Sequence, residues 1–189
     1  MQRLLSPWRL RYITSARRRG AGCVFCRAAR PQGDRDNLVL LRGRTHFAIL
    51  NKYPYNNGHL MIVPFAHLAT PSLAEPDALA EMMTLTVACE RALRRVYRPA
   101  GINLGMNLGR SAGAGIEGHY HLHMVPRWEG DTNFMTAVHD TRVIPESLET
   151  AVRRLRPVLA GSVRPPRART RRRTAPPNRR RPAASRRRS

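Results

Sequence analysis

Six residues, His119-Tyr120-His121-Leu122-His123-Met124, set histidines and apolar or aromatic residues in strict alternation, and apolar Val125 follows them. That period of two is the period of a β-strand and not of a helix. On such a strand His119, His121 and His123 share one face, while Tyr120, Leu122 and Met124 point into a core. The chain must therefore build a sheet with at least one covered side. Same-face neighbours on a strand stand about 7 Å apart, so one metal ion could not take all three imidazoles without a bulge. Three imidazoles in register have little use in packing and point to chemistry.

The rest of the chain supplies the other strands and the cover. Asn37–Leu41 and Phe47–Asn51 read as strands flanking an Arg42-Gly43-Arg44 turn, and His59–Pro64 as a third strand. Tyr53-Pro54-Tyr55-Asn56-Asn57-Gly58 is a loop by its turn chemistry. Met82, Leu85, Cys89, Leu93 and Val96 recur at helical spacing within Ala78–Arg98, and Pro99 and Gly101 end that helix. Gly101–Leu108 and His119–Val125 complete about five strands, and a last helix is expected from Pro145 to about Leu159. Short connections favour an antiparallel sheet, so the expected class is α+β, with one long helix and a C-terminal helix. His46 and His139 carry no motif and read as ordinary surface or strand histidines; Cys89 lies on the helix's apolar stripe and reads as core.

The net charge of +22 is confined to the ends. Residues 1–30 carry eight arginines and no acid, and residues 164–189 carry twelve arginines, five prolines and no acid. The stretch 31–163 sets fourteen basic residues against all twelve acids, a net of +2. Three parts are expected: a basic N-terminal arm over 1–30, a catalytic domain over 31–160, and a disordered arginine- and proline-rich tail over 161–189. Such a tail would hold nucleic acid or another polyanion, with affinity falling steeply as salt rises. It has no aromatic residue for base stacking, so any such contact would be non-specific. No apolar run has the length a membrane span needs, and the N-terminal segment has no hydrophobic core of the secretory kind. With three cysteines and no disulfide framework, a reducing cytoplasmic location is expected.

Upstream of the histidines lies Gly109-Arg110-Ser111-Ala112-Gly113-Ala114-Gly115-Ile116-Glu117-Gly118. Four glycines in ten residues let backbone N–H groups approach an anion closely. Beside three histidines, this reads as a phosphate site with a nucleophile, because a neutral imidazole can attack phosphorus and divide one displacement into two. Cys23-Val24-Phe25-Cys26 is half of a tetrahedral zinc site, a redox pair, or two incidental thiols.

These motifs resemble the histidine triad (HIT) family, whose signature is three alternating histidines followed by two apolar residues. Ser6–Ile13, Cys23–Cys26, Asn51–His59 and Gly130–Met135 are similar to the bacterial diadenosine tetraphosphate (Ap4A) phosphorylase-like branch. The resemblance implies a HIT fold and a nucleotidyltransferase cleaving dinucleoside polyphosphates, with inorganic phosphate as acceptor and ADP and ATP as products. It implies His121 as nucleophile, His123 as the phosphate and leaving-group contact, and Asn51 at the ribose. It places Asn107, Ser111 and the backbone of Gly113, Gly115 and Gly118 around the transferred phosphate. It also implies a structural zinc held by Cys23, Cys26, His67 and His119, magnesium on the nucleotide, and a homodimer or larger homo-oligomer. Many hydrolases of the family carry a glutamine in this loop, where this chain has Ala114-Gly115-Ile116-Glu117, which fits phosphate as second nucleophile. The alternatives are a hydrolase or nucleoside phosphoramidase using water, and a nucleic-acid-associated protein binding through its arginine-rich ends.

Overall fold

A computed structural model describes residues 22–30, 38–131 and 146–162. Within them the apolar runs become β1 (Val39–Arg42), β2 (His46–Leu50), β3 (Leu60–Pro64), β4 (Gly101–Gly105) and β5 (Leu122–Arg127). They form one antiparallel sheet in the order β1-β2-β3-β5-β4. β2 and β3 are buried at every position, as central strands covered on both faces should be.

The two faces have different covers. Ala48, Leu50, Leu60, Ile62, Leu122 and Met124 pack beneath α2 (Pro76–Tyr97) and α3 (Leu148–Ala160). Phe47, Ile49, Met61 and Val63 face the other way and pack against Phe25 and Ala28 of α1 (Val24–Ala28). The described part of the basic arm is thus integral to the second face. Among the described residues, no helix is long and apolar enough to cross a membrane.

α2 begins at Pro76, where a missing N–H costs nothing, and buries Met82, Leu85, Cys89 and Leu93 as the spacing predicts. It stops at Arg98, a left-handed cap with φ of 47°, ahead of Pro99. α3 is capped by Ser147, whose Oγ accepts the Thr150 N–H at 3.3 Å. Leu93 of α2 and Leu155 of α3 are both fully buried in this layer; truncating either to alanine would cost about 2–5 kcal/mol.

Strand boundaries shift from expectation in an informative way. The strand expected over His119–Val125 begins only at Leu122 and runs on to Arg127. Ahead of it, the Tyr120 N–H donates outside the sheet, to the Leu68 carbonyl at 2.7 Å. The strand expected over Gly101–Leu108 ends at Gly105, where the glycine loop takes over. The expected Arg42-Gly43-Arg44 turn is displaced by one residue: Arg42 ends β1, paired with Phe47, and residues 43–45 connect β1 to β2. Residues 163–189 of the tail, His139 and Pro145 lie outside the described residues.

Candidate active site

The histidines divide into two groups back to back. His123 stands opposite Met61 in the β3–β5 pairing, which puts its ring on the α1 face of the sheet. His121 lies beside it, ring centroids 4.8 Å apart. Its Nδ1–H donates to the His119 carbonyl at 2.9 Å. That bond fixes the tautomer and leaves Nε2 with its lone pair. Burial lowers the His121 imidazole below its ordinary value, so the ring is neutral and nucleophilic at physiological pH.

A fourth histidine joins them. His59 is fully buried, with its Nε2 3.0 Å from His123 Nδ1. The Tyr55 N–H donates to His59 Nδ1 at 3.0 Å, so His59 carries its proton on Nε2 and donates it to His123. His123 is then left with its own proton on Nε2. The two adjacent imidazoles therefore differ: His121 offers a lone pair and His123 an N–H. The pattern missed His59, although a histidine opening an otherwise apolar strand is a readable signal. Its placement depends on Gly58, at φ of +70°, where a Cβ would lie 2.8 Å from the Tyr97 ring.

Burial, reinforced by the neighbouring imidazoles, pushes His59 down to about 3 and His123 to about 4. The unfolded chain takes up these protons near pH 6.5, while the folded chain refuses them until far lower. Stability is therefore complete above pH 6.5 and falls as pH drops from there toward about 3. Urea midpoints at pH 7.5, 5.5 and 4.5 should fall in that order, and His59→Asn should flatten the slope; equal slopes would show that His59 stays solvated.

His119 turns away from this pair. Its Nδ1 lies 3.3 Å from Cys23 Sγ, 3.7 Å from Cys26 Sγ and 3.2 Å from His67 Nδ1. Cys26 Sγ is 3.3 Å from His67 Nδ1. All four ligand atoms fall within 4.8 Å of one another. A tetrahedron with bonds of about 2.0–2.3 Å has edges of about 3.3–3.8 Å, so this spacing fits one ion. The His119 Nε2–H donates to the Pro64 carbonyl at 2.9 Å, the outer hydrogen bond that metal-bound histidines make. The two groups touch through Phe25, whose ring lies 5.4 Å from His119 and 4.9 Å from His121.

Of the expected substrate residues, Asn51 is the one with a contact to the group of His59, His121 and His123. Asn51 is half-buried beside His59, its Nδ2 3.4 Å from His59 Nδ1, while its Oδ1 accepts the Tyr53 N–H at 3.0 Å. Asn56 fastens this loop to β5 through the Pro126 carbonyl at 3.2 Å and Asp131 at 3.0 Å. Asn107 is half-buried, Ser111 and Gly115 are exposed, and Gly118 sits against His67. Not every N–H of the glycine loop is open to an anion. Gly113 donates to the Arg110 carbonyl at 2.9 Å and Ala114 to that of Gly109 at 3.2 Å, so the loop's own turn uses both.

An antiparallel sheet carrying paired, differently protonated histidines at the start of one strand is the architecture of a HIT domain. The HIT domain family matches residues 32–130, just over half of the chain, and the chain belongs to that family. Among its relatives, the AP-4-A phosphorylase of Mycobacterium tuberculosis is 38% identical over 161 residues, 82% of this chain and 83% of that protein. A zinc-bound histidine triad family protein from Mycobacterium smegmatis superposes with a TM-score of 0.60 at 30% identity, covering 74% of this chain and 94% of the other. A hypothetical histidine triad nucleotide-binding protein from Sulfolobus tokodaii gives a TM-score of 0.60 at 27% identity, covering 74% of this chain and 93% of the other.

Proposed function

We propose that the protein is a nucleotidyltransferase that cleaves dinucleoside polyphosphates such as diadenosine tetraphosphate through a nucleotidyl-His121 intermediate, with inorganic phosphate as acceptor. The observation that carries this reading is the bond from His121 Nδ1 to the His119 carbonyl, because it dedicates Nε2 to nucleophilic attack. The lone pair of Nε2 forms a P–N bond to the α-phosphorus of one adenylyl group. The P–O bond to the remaining chain breaks, and that oxygen leaves with the electron pair as ATP. His123, whose proton is on Nε2, donates a hydrogen bond to phosphate oxygens as charge builds on them. Inorganic phosphate then attacks the same phosphorus, the P–N bond breaks back to His121, and ADP departs.

The similarity to AP-4-A phosphorylase supports the substrate, and the absence of the hydrolase-type glutamine from Ala114–Glu117 supports phosphate over water. Cys23, Cys26, His67 and His119 would hold a structural zinc; four protein ligands leave no open position, so the ion would shape the site without entering the reaction. Magnesium would arrive on the polyphosphate, whose oxygens are its preferred ligands.

Product analysis with diadenosine tetraphosphate, with and without inorganic phosphate, tests the acceptor. ADP and ATP should form only when phosphate is present. AMP and ATP formed without phosphate would make the protein a hydrolase. The same assay on a chain lacking residues 164–189 should give unchanged rates, whereas a nucleic-acid-directed protein would lose its binding with the arginines.

A further inference from the structure

Two buried polar side chains take no part in the chemistry above. His46 and Tyr120 are 0% and 1% exposed, and both point to the α2 side of the sheet, away from the catalytic pair. The sequence pattern left His46 as a surface or strand histidine; it is a strand residue, and its burial removes the surface reading.

Their hydrogen bonds form a chain with one direction. Glu81, on α2, accepts the backbone N–H groups of Arg44 at 2.7 Å and Thr45 at 2.6 Å, and also the Thr45 hydroxyl. Burial alone would raise the Glu81 carboxyl, but these hydrogen bonds outweigh it and hold the group below the ordinary glutamate value, so it is a pure acceptor. With its proton given to Glu81, Thr45 Oγ1 can only accept from His46 Nδ1–H, 2.9 Å away. His46 Nε2 is then bare and accepts the Tyr120 hydroxyl at 3.0 Å. The carboxylate reaches the turn because residue 43 is glycine; a Cβ there would lie 3.0 Å from Glu81 Oε1.

Tyr120 stands between His119 and His121, in the segment that β5 does not include. No ladder bond holds that segment, so its position depends on its side chains and on the Tyr120–Leu68 bond. We propose that Glu81, Thr45, His46 and Tyr120 are positioning residues, whose chain of hydrogen bonds anchors from the α2 side the segment that presents the His119 carbonyl to the nucleophile. The proposal rests on His121 being the nucleophile. Its signature is a loss in kcat with little change in KM, because a nucleophile set slightly off line fails in the transition state more than in binding.

The test uses Tyr120→Phe, which keeps the ring and removes the hydroxyl, Thr45→Val, which keeps the shape and breaks the chain one link further on, and the double variant, all in the 189-residue chain. Each single variant should lose roughly fivefold in kcat, the worth of one buried hydrogen bond, with KM within about twofold. The double variant should lose no more than either single one, because a chain is broken once. In nitrogen-15 spectra the wild type should show His46 protonated on Nδ1 alone, and the His121 Nδ1–H resonance should weaken in Tyr120→Phe. A Tyr120→Phe kcat within twofold of wild type overturns the proposal, whatever happens to the melting temperature. Losses that multiply in the double variant overturn the single chain. If the wild type turns over no dinucleotide, the nucleophile reading fails separately. The His121 resonance then decides: unchanged, it overturns the positioning role; weakened, it upholds it.

Discussion

His121→Ala should abolish turnover, by about 10³-fold or more, and leave nucleotide affinity close to that of the unaltered protein. The reason is specific to this site. His121 is the imidazole whose Nδ1 proton is committed to a carbonyl, while His123 is bonded at Nδ1 by His59 and holds its own proton on Nε2. No other ring in the pair can supply the lone pair, so removal of the nucleophile cannot be covered by its neighbour. Losses of this size accompany removal of a covalent nucleophile, and the small remainder comes from binding and electrostatics alone. Rates under single-turnover conditions, with nucleotide titrated calorimetrically into the same variant, separate the two quantities. A near-normal rate would remove His121 from the nucleophile's role.

Cys23→Ser should release a metal ion from the protein and lower its melting temperature by roughly 10–20 °C, the shift that about 4–5 kcal/mol produces in a chain of this size. α1 has five residues, too few to be helical by itself in water. One end is held by the Arg42 guanidinium on the Ala28, Ala29 and Arg30 carbonyls, at 2.9, 2.8 and 2.9 Å. The other carries the two thiols. With the thiol site broken, Phe25 loses its anchor against both His119 and His121. Activity should therefore fall along with stability, even though an ion held by four protein ligands would do no chemistry. Elemental analysis of the wild type and calorimetry of both proteins provide the check. Unchanged melting, with no metal in the wild type, would leave the cluster as a set of packed thiols and imidazoles.

The triad histidines, the long helix and the five strands were legible because periodicity is a local property. A period of two selects a strand, and Met82, Leu85, Cys89 and Leu93 select a helix face, whatever surrounds them. His59 was legible as a histidine opening an apolar strand, but its role was not, because that depends on Gly58 and on a partner 64 positions away. The early end of the triad's regularity was likewise hidden. The alternation over His119–Met124 is unbroken, yet the strand starts at Leu122.

The sequence alone determined which residue types lie on which side of each element: Tyr120, Leu122 and Met124 toward the core, and the histidines away from it. Only the tertiary structure decided what each histidine does. His119, His121 and His123 are chemically the same residue, and a lone imidazole has no preferred tautomer strong enough to matter. A carbonyl commits Nδ1 of His121, a second histidine commits Nδ1 of His123, and two thiols from α1 draw His119 out of the group. The carbonyl lies only two residues from His121, but His59 and the thiols come from elements far from the triad in the chain, so the division of three like side chains among three roles rests largely on long-range contacts. The pattern of the strand does not contain it.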